Sequence, residues 1–95
     1  MKSTEIRILN AARVDRLAAR TRSFLVRNGW QKIAVGDAAA VRSRSLIIYP
    51  RGAQAAASRL SVRLGFETAM RDNVRQLTIL LGKDAAALPG LRQIG

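Results

Sequence analysis

The chain contains no cysteine, which excludes a disulfide framework, thiol chemistry and a thiolate metal site. Histidine is absent as well, so the commonest metal ligand and the usual neutral-pH acid/base group are both missing. Acidic residues are scarce, six against 17 Lys and Arg, and they are scattered rather than paired. No Ser or Thr has a histidine to activate it as a nucleophile. The glycines form neither a GxGxxG turn nor a phosphate-cradling loop. Asp15, Asp37 and Asp84 can be read as general bases or hard-cation ligands. Their places, a helix start, a turn and a strand end, suit ordinary structural roles better. The chain therefore reads as a non-enzyme with no cofactor and no metal site.

Two further absences bear on partners. No apolar run approaches the roughly 18 residues of a membrane span, and Met1-Lys2-Ser3-Thr4-Glu5 does not open a signal peptide. Aromatic residues number only four, Phe24, Trp30, Tyr49 and Phe66. Three of them sit where core packing accounts for them. No aromatic RNA-binding strand and no GXXG loop between helices is present. Trp30 reads as a wedge between helix and sheet, with base stacking as the alternative.

What the chain has in excess is positive charge. Its 95 residues carry a formal +11, and 14 of the 17 cations are Arg. Arg suits planar, bidentate recognition of phosphate or carboxylate, and the excess favours polyanionic partners. Nucleic acid, an anionic membrane surface and anionic cell-wall polymer all remain open. With 48% hydrophobic residues the chain has enough apolar material for one small folded domain rather than a disordered one.

Periodicity sets the elements. Glu5-Ile6-Arg7-Ile8-Leu9 alternates as a first strand. Val14, Leu17, Ala18, Thr21, Phe24 and Leu25 share one side of a 3.6-residue helix, which Asn28-Gly29 closes. Lys32 to Val35 is a short strand, and Asp37 to Arg44 a polar connection that reads as a mobile loop. Ser45 to Tyr49 has the continuous apolar run of an interior strand. A second helix spans Ala53 to Leu64 and is capped by Gly65. Glu67 to Arg71 suits a weak edge strand, and Gln76 to Leu81 a strong last one. The order β-α-β-β-α-(β)-β predicts an α+β two-layer sandwich, a mixed sheet of four or five strands with both helices on one face. Residues 1–84 form one domain on this reading and 85–95 an irregular tail; no internal repeat is visible.

On the first helix, Arg13, Arg16, Arg20 and Arg27 fall within about 60° of one another at 100° per residue. Such a stripe can track a polyanion; it can also be a solvated face whose stems cover the core rim. Arg51, in the turn after the middle strand, is a further candidate contact. These five residues form the candidate basic surface.

The order and spacing of these segments resemble the C-terminal domain of LytR-type cell-envelope proteins, the LytR_C family. The carrying residues are Ile6-Arg7-Ile8-Leu9-Asn10, Val14 to Arg20, Asn28-Gly29-Trp30, Tyr49-Pro50-Arg51-Gly52 and Leu81-Gly82-Lys83-Asp84. The resemblance spans about Glu5 to Asp84. In place of the family's Gly-rich turn this chain has Ala11-Ala12-Arg13, with Arg16 replacing a further Gly. Glycine there would permit positive φ or close approach of a ligand; the exchange adds two cations. The resemblance implies a non-catalytic module outside the cytoplasmic membrane, contacting peptidoglycan, another anionic envelope glycan or an envelope protein. As a module of a longer exported protein it would lie in the periplasm or cell wall. The alternatives are a small nucleic-acid-binding domain, motivated by +11, and a structural domain that docks or self-associates through its strand edges near Leu46 to Tyr49 and Glu67 to Arg71.

Overall fold

The computed structural model describes residues 4–87. Its elements are β1 (Ile6–Asn10), α1 (Leu17–Arg27), β2 (Ile33–Asp37), β3 (Leu46–Tyr49), α2 (Gln54–Leu64), β4 (Glu67–Met70), β5 (Leu77–Leu81) and a 3₁₀ turn, Lys83–Ala87. All five strands join one mixed sheet in the order β2-β1-β5-β3-β4. β1 pairs parallel with both β2 and β5, β3 pairs parallel with β4, and only the β3–β5 seam is antiparallel. The sandwich expected from the sequence is thus present with five strands, and the weak Glu67 segment is an edge strand.

The chain makes two parallel βαβ units, β1-α1-β2 and β3-α2-β4, which run in opposite directions and step outward from the centre. With right-handed crossovers in both, the two helices land on the same face. The burial agrees: Leu17 and Leu25 of α1 and Ala56, Ala57, Leu60 and Leu64 of α2 share one core with Ile6, Ile8, Ile47, Leu77 and Ile79 of the sheet. The small residues at 56 and 57 let α2 approach the strands closely. Among the described residues no α-helix lies over the opposite sheet face. Arg7, Leu9, Leu46, Ile48 and Leu80 lie there by alternation, and Leu9, Leu46, Ile48 and Leu80 are half-buried.

Although no repeat is visible in the sequence as a whole, the two units end their helices alike. Val26-Arg27-Asn28-Gly29-Trp30 corresponds to Val62-Arg63-Leu64-Gly65-Phe66. Each Gly has positive φ, 95° at Gly29 and 77° at Gly65, and each aromatic that follows is buried. At α1, the Trp30 N–H donates to the Leu25 carbonyl at 3.1 Å and the Gly29 N–H to Val26 at 3.0 Å. This is the Schellman arrangement, in which glycine's freedom reverses the chain and satisfies the last carbonyls. Trp30 is the wedge, not an exposed stacking platform.

The connection from residue 38 to 45 is not a free loop. The Ala38 N–H donates to Asn10 O (3.1 Å) and the Arg42 N–H to Ala11 O (2.7 Å), while Lys83 and Asp84 donate their N–H groups to Arg42 O and Ser43 O at 3.0 and 3.2 Å. The Asp84 carboxylate accepts from the Ser45 N–H at 2.9 Å and from its hydroxyl at 2.6 Å. The Ser45 hydroxyl oxygen in turn accepts from the Gly82 N–H at 2.9 Å. Leu81-Gly82-Lys83-Asp84 is therefore a clasp that fastens the start of β3 to the end of β5. A polar composition suggested mobility there, but partners distant in sequence hold it at Ala38, Arg42, Ser43 and Ser45. Residues 85–87, placed in an irregular tail by composition, complete the 3₁₀ turn, with Ala85 fully buried. Residues 88–95 lie outside the described residues.

Candidate functional site

The β1–α1 turn begins with Asn10, which is buried. Its side-chain oxygen accepts from the Ala12 N–H at 3.0 Å and its amide donates to the Val14 carbonyl at 2.7 Å. A turn organised this way brings the chain to α1 only at Leu17, three residues later than the apolar period indicates. Arg13 and Arg16 are consequently not helical. Both occupy the left-handed region, with φ of 57° and 64°. This is backbone that glycine adopts most readily, and here two arginines adopt it. For an L-residue that conformation costs about 1–2 kcal/mol, part of which glycine would return through its greater unfolded-state entropy.

That balance gives a prediction. Arg13→Gly and Arg16→Gly should each stabilise the domain by about 0.5–1 kcal/mol, raising the melting temperature by several degrees in a thermal scan. Unchanged or lower melting temperatures would mean that the Arg side chains compensate their own strain.

The five candidate cations fall at two ends of the molecule. Arg13 and Arg16 sit beyond the C-terminal end of β1, and Arg20 follows in the first turns of α1. Arg13 Nη2 lies 3.4 Å from Ala39 O, and Arg20 Nη1 3.3 Å from Asp15 O. Arg27 closes the last turn of α1, at the other end, where a cation also complements the helix dipole. Because β3 is antiparallel to β5, and β5 parallel to β1, the turn after β3 lies at that same far end. Arg51 is thus near the Arg27 end and away from Arg13 and Arg16. It also lies 3.5 Å from the Asp72 carboxylate in an exposed ion pair, which screens its charge.

The continuous stripe read from the helical wheel is therefore broken, yet the helix layer as a whole is more uniformly basic than the stripe. α1 carries Arg20, Arg22 and Arg27, α2 carries Arg59 and Arg63, and neither helix contains an acid. Five of the six acids lie in strands, turns or the 3₁₀ segment, and Glu5 directly precedes β1. Arg22, Arg59 and Arg63 were not among the candidate residues; counting acids separately for each helix would have found them. Arg59 and Arg63 are exposed. Arg22 donates from Nε to Ile33 O at 3.2 Å, holding its guanidinium near the β2 edge.

Nothing in the interior competes as a site. Among the described residues no buried side-chain polar atom lacks a hydrogen-bond partner. No group of three or more His, Cys, Asp or Glu side chains comes together among them. No helix of the described residues is long and apolar enough to cross a membrane.

A two-layer α+β module whose described buried side-chain polar atoms are all hydrogen-bonded, with an Arg-bearing, acid-free helix layer, is the class this architecture defines. The chain belongs to the LytR_C family, the LytR cell envelope-related transcriptional attenuator, whose family model matches residues 3–84. Among solved structures it is similar to the soluble domain of a conserved hypothetical secreted protein from Mycobacterium marinum, with a TM-score of 0.73 at 20% identity. That likeness covers 85% of this chain and 60% of the other, and at this identity it is a likeness of fold. No curated protein matches the chain.

Proposed function

We propose that the domain is a non-catalytic, extracytoplasmic binding module that contacts anionic cell-wall polymer through its helix layer. The observation that carries this reading is the helix layer itself: five Arg on the two helices of one sheet face and no acid among them. Membership of an envelope-related family supports the compartment, as does a fold shared with the soluble domain of a secreted protein. Arg13, Arg16 and Arg20 form one end of the binding surface and Arg27 the other. Arg51, already beside Asp72, contributes less.

The test is retention on purified peptidoglycan sacculi and on random-sequence DNA, side by side, at low and physiological salt. Exposed charge contacts are worth roughly 0.2–1 kcal/mol each, so alanine at Arg20, Arg27, Arg59 and Arg63 of the helix layer together should weaken sacculus binding about tenfold or more. The Arg51→Ala variant should stay close to wild type. Unchanged retention in the fourfold variant would sink the proposal. Retention on DNA alone, falling steeply with salt, would support the nucleic-acid alternative. Loss of both with salt would direct attention to a protein partner.

A further inference from the structure

We infer that the domain pairs with a second copy of itself along β4, antiparallel about a two-fold axis centred on Ala69. The inference is independent of any polymer bound by the helix layer. β4 is one of the two free edges of the sheet. The Arg71 N–H donates to Tyr49 O at 2.9 Å, and Tyr49 registers with Met70. In a parallel ladder this directs the backbone groups of residues 67, 69 and 71 inward to β3. Those of Thr68 and Met70 point outward, to no strand of the described residues. The side chains follow from the same register. Thr68 pairs with Ile47, which is in the core, so Thr68 and Met70 lie on the helix face and Glu67, Ala69 and Arg71 on the other.

An antiparallel partner must place outward-pointing residues opposite one another. Centring the pair on Ala69 does so, setting Thr68 opposite Met70 of the second copy and Met70 opposite its Thr68. The same register sets Glu67 opposite Arg71 and Arg71 opposite Glu67, on one face, as non-hydrogen-bonded pairs with close side chains. The segment Glu67-Thr68-Ala69-Met70-Arg71 is thus complementary to itself in charge and in backbone parity. Both ionic side chains are exposed, and Met70 is 42% exposed despite being apolar. Their present partners are slight. Glu67 reaches Arg44 only at 3.9 Å, and Arg71 donates from Nη1 to the adjoining Met70 carbonyl at 3.0 Å. On pairing, the Thr68 N–H of the second copy takes that carbonyl and Arg71 moves to the opposing carboxylate.

The other edge lacks this complementarity. β2 directs Ile33, Val35 and Asp37 outward, and an antiparallel copy centred on Val35 sets Asp37 against Ile33. The Ile33 carbonyl is also covered from α1 by Arg22, a common way of protecting an edge. Pairing at β4 keeps both helix layers on one side of a continuous sheet, so the two basic surfaces face the same way.

A five-residue edge makes a small, transient interface, so the dimer should fill at protein concentrations on the order of 100 μM or above. Molar mass is measured by light scattering across a concentration series, in about 0.3 M salt to screen repulsion between the +11 copies. Wild type should rise from 10.4 kDa toward twice that value. Glu67→Arg and Arg71→Glu alone should each hold the mass at the monomer value, and the double exchange should restore the rise. Thr68→Pro removes an outward N–H not used within the fold, and should also remain monomeric with an unchanged far-ultraviolet circular dichroism spectrum. A wild type that stays monomeric throughout overturns the inference. So do single variants that associate like wild type, or a double exchange that stays monomeric.

Discussion

Replacing Gly82 with alanine is expected to lower the melting temperature by about 12–24 °C, the equivalent of about 3 kcal/mol in a domain this small. A Cβ at Gly82 would meet the backbone of Arg44, at 2.4 Å from its carbonyl carbon, 2.6 Å from its oxygen and 2.8 Å from its nitrogen. These atoms cannot swing aside as a side-chain tip would, so one of the two segments must move. Movement there breaks the clasp, since the Gly82 N–H, the Ser45 hydroxyl and the Asp84 carboxylate form one chain of hydrogen bonds. Gly36→Ala is the matched control, because its Cβ would meet only Leu9 Cδ2, at an ordinary 3.5 Å. A thermal scan that shifts both variants equally would refute the steric argument.

Asn10→Ala should be the next most damaging change, at about 1–3 kcal/mol, because the Ala12 N–H loses its partner and the Val14 carbonyl keeps only the Leu17 N–H. The Ala12 N–H depends on this one amide, and the Val14 carbonyl, which also accepts from the Leu17 N–H at 3.2 Å, loses the shorter of its two bonds; these bonds set the direction in which the chain enters α1. Chemical denaturation should show the loss as a lower midpoint with an unchanged slope. The variant should also lose whatever binding requires Arg13 and Arg16, since their turn is no longer held. A midpoint within about 0.5 kcal/mol of wild type would mean that water replaces both bonds without cost.

The elements were legible because each has a clear physical period. Ile6 and Ile8 alternate toward the core, α1 presents Leu17, Thr21 and Leu25 on one side, and Gly29 and Gly65 stop the helices by reversing φ. The neighbours of each strand were not legible. An apolar run such as Leu77 to Leu81 announces burial but says nothing of inserting between β1 and β3. The clasp was hidden for the same reason, as Ser45 and Asp84 stand 39 positions apart. At the candidate surface, helical spacing placed Arg20 and Arg27 on α1, but carried Arg13 and Arg16 into a helix that had not yet begun. The turn bonds of Asn10, which delay that start, have no apolar signature. Arg51 belongs to the opposite end from Arg13 because β3 runs backwards relative to β1, a fact of topology that no local pattern encodes.

The position of β5 also has a consequence in time. It is the last of the described strands in chain order and so follows the other four in synthesis, yet it is the central one, paired on one side with β1 and on the other with β3. Until it arrives, the two βαβ units share no ladder, and each exposes the apolar edge that β5 will cover. A nascent chain halted before Leu77 therefore holds two half-built sheets with no common interior. Cooperative folding waits for Leu77–Leu81, and a ribosome or translocation channel that retains that strand keeps the whole domain open.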